Sequence, residues 1–193
     1  MMQKDTLPNI PSELLRAGLE DMRLLEASSR KHLYKPFHTL WHKPETITED
    51  DGNGGIVTRK NCLICLAGGV LAQRFGFDPD EEVFFVGSGR LPETAVGKFY
   101  ALDCLRQGNV GSDSDGGAMY YFSRGDCGAE AKIAVDGWED KLRSSDYFID
   151  ELYGDGNCEV FIANFGDFDG WEEWNVVSKS LTRLADELEA VGL

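Results

Sequence analysis

Apolar residues recur every three or four positions in several stretches of the chain, which is the pattern of helices that bury one face. Near the start, Leu15, Leu19 and Met22 follow this spacing. The stretches with this pattern predict helices over residues 10–28, 92–107, 138–153 and 174–190. Pro92 and Gly108 flank the second of them, as expected because proline is favoured at a helix start and glycine just after a helix end.

A different pattern runs from Cys62 to Phe75, where the sequence is apolar nearly all round. It predicts a central helix, over 62–75, that is buried on every side. Its small residues would let another backbone approach closely; these are Ala67, Gly68, Gly69 and Ala72. Two adjacent glycines cost about 2 kcal/mol of helix propensity, so packing against the rest of the core has to compensate for them.

Short apolar runs separated by Gly and Asp turns predict strands, most of them late in the chain. The predicted strands cover 83–86, 118–123, 130–135 and 159–163. By contrast, prolines interrupt residues 30–43, which predicts an irregular connection, and the glycines of residues 49–55 predict a loop.

Together these elements predict an α+β fold with a single domain over residues 1–193. Buried helices 62–75 and 92–107 would support a small, mainly antiparallel sheet from the C-terminal half. We expect residues 1–112 to be mainly helical and residues 113–193 to mix strands and helices.

Charge distinguishes the two halves more sharply than hydrophobicity does. The formal net charge is −15; residues 113–193 have 19 acidic against 6 basic side chains, and residues 1–112 have 15 against 13. The imbalance is therefore −13 in the second half and −2 in the first. Such a surface repels nucleic acid and anionic membranes and attracts basic proteins. The alternative interpretation is that the acidity only maintains solubility.

One acidic stretch, residues 164–174, is interleaved with aromatic residues. Carboxylates steer a cationic partner and partly buried rings anchor it, so the stretch is the candidate partner-binding site. The residues proposed for it are Asp167, Phe168, Asp169, Trp171, Glu172 and Glu173. The alternative is that the rings point into the core while the acids face water.

Histidine and cysteine occur at spacings that could chelate zinc. His38 and His42 are four residues apart, Cys62 and Cys65 three apart, and zinc favours four such ligands. Against this, Cys65 lies in the apolar stretch, where a reduced thiol is simply a small hydrophobe. No cofactor is therefore expected, with zinc as the alternative.

The cysteine count and the N-terminus indicate a cytoplasmic protein. Five cysteines are an odd number, which favours reduced thiols over a disulfide framework. The first residues lack the apolar stretch of a signal peptide, and no run is long enough for a membrane span.

No catalytic residue can be assigned from the sequence. It contains neither a Gly-x-Ser-x-Gly elbow nor the Gly-x4-Gly-Lys pattern of a phosphate loop. Carboxylates are too numerous for an acid–base pair to be singled out. An enzyme with a Cys/His cleft remains an alternative.

Three segments resemble small uncharacterised proteins encoded by tailed bacteriophages and prophages. They are Trp41-His42-Lys43-Pro44, the run from Cys62 to Ala72, and the run from Phe99 to Gly108. The resemblance implies an origin and supplies no activity to transfer. It also implies action by binding host machinery, including defence complexes that handle nucleic acid.

The leading hypothesis is a non-catalytic interaction factor in the host cytoplasm. Its acidic C-terminal surface would bind a basic host protein, including one that normally binds nucleic acid, and would inhibit host defence. The alternatives are the small enzyme and a zinc-stabilised structural module. Neither direct nucleic-acid binding nor membrane binding is expected.

Overall fold

The computed structural model describes residues 7–37, 41–50, 52–83, 91–111, 117–143 and 170–193. It has an α+β fold with a single domain. The helices are α1 (Pro11–Ala27), α2 (Leu66–Arg74), α3 (Glu93–Arg106), α4 (Ala118–Arg124), α5 (Ala129–Val135), α6 (Trp138–Arg143) and α7 (Trp171–Ala190). A 3-10 turn spans Lys31–Leu33, and the strands are β1 (Tyr34–Pro36), β2 (His42–Asp50) and β3 (Ile56–Ile64).

The three strands form one mixed sheet in the order β1-β3-β2. β2 and β3 are an antiparallel hairpin, with His42 opposite Ile64 and Asp50 opposite Ile56. β1 adds to β3 in parallel over three residues, with Tyr34 opposite Cys62. The sheet is therefore long on the hairpin side and short on the β1 side.

The core forms around α2, which is buried along most of its length. α1 and α3 pack on it with the apolar stripes that the sequence predicts, and α7 packs on α1. Gly68 lies so close to Trp41 that a Cβ atom there would be 1.4 Å from the Trp41 carbonyl oxygen. The prediction that glycine admits a close backbone approach in this segment is confirmed.

The location of the sheet corrects the sequence prediction. Residues 118–123 and 130–135 are not strands, because they belong to the two-turn helices α4 and α5. Their buried positions follow helical spacing, as with Ala131 and Val135. Runs this short do not distinguish a strand from a buried helical turn. All described strands lie instead within residues 1–112, the part predicted to be mainly helical.

The predicted central helix over 62–75 is also wrong at its start. Cys62 to Ile64 are the buried end of β3, and the helix begins only at Leu66. A fully buried strand and a buried helix are both apolar on all sides, so the sequence pattern could not separate them. Likewise, residues 30–43 contain β1 and the start of β2 in place of an irregular connection.

The long amphipathic helices agree with prediction. α1 and α3 begin and end within one residue of the predicted bounds, and α7 begins three residues earlier than predicted. The helix predicted over 138–153 is present over 138–143, and its remainder lies outside the described residues. The predicted strand 159–163 and residues 84–86 also lie outside them. Within the described ranges, none of the helices has the length and apolar character that a membrane span requires.

The close approach at Gly68 leads to a stability prediction. Gly68→Ala should destabilise the fold by several kcal/mol, because its Cβ meets a backbone carbonyl that cannot move away alone. Gly69→Ala is the matched control, since its Cβ meets the flexible side chain of Met22 and the change gains about 1 kcal/mol of helix propensity. Urea unfolding of both variants measures the difference, and equal losses would contradict the prediction.

Candidate functional site

The N-terminal end of α7 is fixed to the sheet by two hydrogen bonds. The backbone N–H of Gly170 donates to the Pro36 carbonyl at 3.0 Å, and the indole Nε1 of Trp171 donates to the Tyr34 carbonyl at 3.2 Å. Both acceptors belong to β1, on the edge away from β3. The first turn of α7 therefore has a defined position on the protein surface.

This first turn separates apolar and acidic side chains onto opposite faces. Trp174 points into the core with 2% of its surface exposed, and Val177 and Leu181 continue the buried stripe. Glu172 and Glu173 are exposed on the other side. Val176 lies three to four residues further along that outer face and is 62% exposed. We call Trp171, Glu172, Glu173 and Val176 the acidic turn.

Glu172 and Glu173 have no ion pair within the described part of the chain. Part of their role is local, since carboxylates in the first turn of a helix interact with its dipole and stabilise it by about 0.3–1 kcal/mol each. Their oxygens otherwise face solvent. They are therefore available to a partner at little cost in lost contacts.

The acids near the other end of α7 are engaged differently. Asp186 and Glu189 both contact the guanidinium of Arg16 on α1, at 2.7 and 2.5 Å, and Glu187 pairs with Arg183 at 2.9 Å. Asp186 and Glu189 therefore join the first helix to the last, whereas the Glu187 pair lies within α7. The acidity of α7 thus divides into a paired group near its C-terminal end and an unpaired group at the acidic turn.

Trp171 already interacts with a cation. The Nζ atom of Lys31 lies 5.7 Å from the centroid of its ring, within the range of a cation–π contact, and also lies 3.5 Å from Glu26. The indole is half-buried and packs against the core. The ring therefore already accepts an ammonium group, which a lysine or arginine of a partner would replace or join.

The acidic turn contains three of the six residues predicted for partner binding. Trp171, Glu172 and Glu173 are brought together in one helical turn, whereas Asp167, Phe168 and Asp169 lie outside the described residues. Val176 was missed because valine in a predicted helix suggests burial. Its signal was the spacing of three to four residues from the two glutamates, which places all three on one face.

His42 and Cys62 of the second predicted site do meet. They lie on the same face of the hairpin, both fully buried, with Sγ of Cys62 3.3 Å from Nδ1 of His42. Nδ1 is also 2.6 Å from the Glu81 carbonyl. A carbonyl only accepts, so Nδ1 holds the proton and donates it, and Nε2 is a buried acceptor without a hydrogen-bond partner among the described residues.

Burial keeps both of these groups neutral. It lowers the pKa of His42 from 6.5 to about 4, with a further contribution from the positive charge of Arg30. It raises the pKa of the Cys62 thiol to about 12. The pair is therefore a thiol beside a neutral imidazole, and it lacks the thiolate that a nucleophile requires.

Cys65 and His38 are the other two residues of the alternative zinc site. Burial raises the pKa of Cys65 to about 11, and the charges that influence this thiol are Arg106 and Asp103 of α3, away from His42. His38 lies outside the described residues. Among the residues that the structure describes, no group of three or more His, Cys, Asp or Glu side chains could hold a metal ion.

The buried imidazole predicts a pH dependence of stability. Because the folded-state pKa of His42 is about 4, only the unfolded chain takes up this proton between pH 6.5 and 4. The free energy of unfolding should therefore fall by up to about 3 kcal/mol as the pH is lowered through that window. His42→Gln should remove this loss, which denaturant unfolding at pH 7, 5.5 and 4 measures.

Two comparisons make this pH experiment specific. Burial raises the pKa of Asp21 to about 6, which stabilises the fold on acidification, but Asp21 is present in both proteins and cancels in their difference. His32→Gln is the matched control, because it removes a histidine that is exposed. Parallel profiles for the wild type and His42→Gln would contradict the prediction.

Comparison of the chain with protein-family models, with curated proteins and with solved structures finds no match. The chain's own residues therefore have to supply the functional assignment. Of the two predicted sites, the acidic turn faces solvent, and the His42–Cys62 pair lies buried and uncharged.

Proposed function

We propose that this chain is a non-catalytic interaction factor of the phage type, which binds a basic surface of a host protein through the acidic turn. The observation that supports this most directly is the pair of exposed glutamates, Glu172 and Glu173, with no ion pair in the described structure. They stand beside an exposed valine and a tryptophan that already holds a lysine ammonium. Charge, apolar contact and a cation-binding ring thus occur within one turn.

The composition of the acidic turn matches what protein interfaces use. Tryptophan is enriched among residues that dominate binding energy, and a surrounding polar rim excludes water from it. Opposite charges on the two partners accelerate their encounter and discriminate against wrong partners. A protein with a net charge of −15 would be drawn to basic surfaces from a distance.

The proposed partner is a host protein that normally binds nucleic acid. Such proteins present clustered lysine and arginine side chains, whose natural ligand is a polyanion. An acidic protein that occupies this surface would compete with the nucleic acid, because both present negative charge to the same basic side chains. Inhibition of a host defence complex would follow from that competition.

The alternative enzyme and zinc module have weaker support. His42 and Cys62 converge, but both are fully buried and the pKa values keep the thiol protonated and the imidazole neutral. Cys65 belongs to different surroundings. The geometry therefore favours a packing role for these side chains in the described structure.

The proposed site predicts a specific loss of binding. Glu172→Gln with Glu173→Gln should weaken binding to the partner by about 3- to 30-fold, since each exposed ion pair contributes up to about 1 kcal/mol. The salt dependence of binding should also become shallower. Affinity capture from a bacterial host lysate at low and high salt identifies the partner, and titration calorimetry with that partner measures the change.

The matched control is the double variant Glu13→Gln with Glu93→Gln. These glutamates are also exposed and also lie in the first turns of helices, α1 and α3, so the loss of net charge and of dipole interaction is the same. The control should bind almost as the wild type does. Equal weakening by both pairs would show a response to net charge alone, and undiminished binding of the Glu172/Glu173 variant would exclude the acidic turn.

A further inference from the structure

The outer half of the β2–β3 hairpin projects from the body of the protein. We call residues 46–50 and 56–60 the arm. Nine of its ten residues are exposed, among them Ile56 with 75% and Val57 with 41% of their surface, while Ile47 is half-buried. An isolated two-stranded ribbon is only marginally stable in water. A further strand added to the arm would complete a sheet.

Two backbone hydrogen bonds show which way the strand edges face. The Ile64 carbonyl accepts the N–H of Phe37 at 2.8 Å, so it points to the edge that β1 occupies. Because backbone groups alternate in direction along a strand, Ile56, Thr58 and Lys60 direct their N–H and C=O groups to the same outer edge. On β2 the His42 carbonyl accepts the N–H of Val83, so its even-numbered residues face the outer edge of β2.

The two outer edges are each protected near the base of the hairpin, outside the arm. On β2, Pro44 stands at an outward position and has no N–H to offer, and Val83 covers the position of His42. On β3, β1 covers only residues 62–64. The outward groups of Ile56, Thr58 and Lys60 have no strand partner in the described structure, and all three residues are exposed.

The free edge of β3 is complementary to itself. In an antiparallel pair of two β3 strands with Thr58 facing Thr58, Ile56 faces Lys60 of the second copy and Val57 faces Arg59 of the second copy. No like charges stand opposite each other in this register.

The neighbouring β2 strands extend this complementarity. Asp50 lies opposite Ile56 within one copy, and Ile56 would lie opposite Lys60 of the second copy. Asp50 and this Lys60 would therefore be on the same face of the combined sheet, separated by one strand. Thr48 lies opposite Thr58, so a row of four threonines would cross the centre of the combined sheet. The outward backbone groups of residues 56, 58 and 60 would all become hydrogen-bonded in this register.

We infer that the protein forms a symmetric dimer in which the exposed edge of β3, residues 56–60, pairs antiparallel with the same edge of a second copy about Thr58. The two arms then form one four-stranded sheet in the order β2-β3-β3-β2. The inference does not rest on the acidic turn or on the partner that the turn binds.

The first experiment uses proline as a probe of the edge. Thr58→Pro removes an N–H that faces outward and leaves the ladder between β2 and β3 intact, so it should abolish the dimer and keep the monomer folded. Thr48→Pro is the matched control, because it lies directly opposite and removes an N–H from the other edge. Analytical ultracentrifugation up to about 200 μM, where micromolar affinities are visible, measures the oligomeric state. Circular dichroism checks that both variants fold.

The expected result is a dimeric wild type, a monomeric Thr58→Pro and a dimeric Thr48→Pro. A wild type that is monomeric at every concentration overturns the inference, and this would also be the outcome if the edge accepts a strand from a different protein. A dimer that persists in Thr58→Pro, or that is lost equally in both folded variants, overturns it as well.

A charge exchange tests the register without proline. In the dimer, Ile56→Lys would place the new lysine of each copy opposite Lys60 of the other copy. Within one copy, the new lysine faces Asp50, which is favourable. It should weaken dimerisation at least 10-fold and leave the folding of the monomer intact. Adding Lys60→Ile should restore the dimer, because the lysine at position 56 then faces an isoleucine, which is the wild-type pairing of Ile56 with Lys60 reversed. Failure of this rescue, or no weakening by Ile56→Lys, contradicts the pairing about Thr58.

Discussion

The contact between the backbone of α2 and the carbonyl of Trp41 is the constraint on which the rest of the structure depends. β2 begins at the residue after Trp41, and β3 ends two residues before α2. Both strands of the hairpin are therefore fixed to α2 at their inner ends, one by close packing at Gly68 and the other by direct chain connection. This explains why the hairpin is buried at its base, where His42 and Cys62 meet, and exposed beyond it. A side chain at position 68 would separate the sheet from the helical core.

The acidic side chains fall into two groups in the described structure. The carboxylates of Asp186 and Glu189 hold Arg16 and thereby join α1 to α7, while Asp21 pairs with Arg74 across the core surface. Glu172 and Glu173 have no such task beyond the helix dipole. The sequence, in which all acids look alike, indicated a charge imbalance, and only the positions of the basic partners separate structural from available carboxylates.

Prediction from the sequence succeeded where a pattern was long and failed where it was short. α1, α3 and α7 each repeat their apolar spacing over at least three turns, which leaves little ambiguity. Residues 118–123 and 130–135 supply too few positions to separate period two from period 3.6, and the run from Cys62 to Phe75 is apolar in any conformation. From the sequence, His42 and Cys62 were considered as zinc ligands or as parts of a Cys/His cleft. Burial keeps both side chains neutral, and the spacing of residues along the chain does not reveal burial. The register of the hairpin could not be predicted because alternating threonines and charges fit several pairings.

The pairing of α1 with α7 has a consequence for how the protein is made. The Ser12 N–H donates to the Leu193 carbonyl at 3.0 Å, and Arg16 reaches Asp186 and Glu189, so native contacts connect positions about 170–180 residues apart. During synthesis α1 leaves the ribosome long before α7 exists, so α1 can pack on α2 and α3 first, while the face that meets α7 has to wait. Closing so long a loop costs entropy before any contact repays it. We therefore expect the face of α1 that packs on α7 to stay exposed to chaperones until α7 is translated.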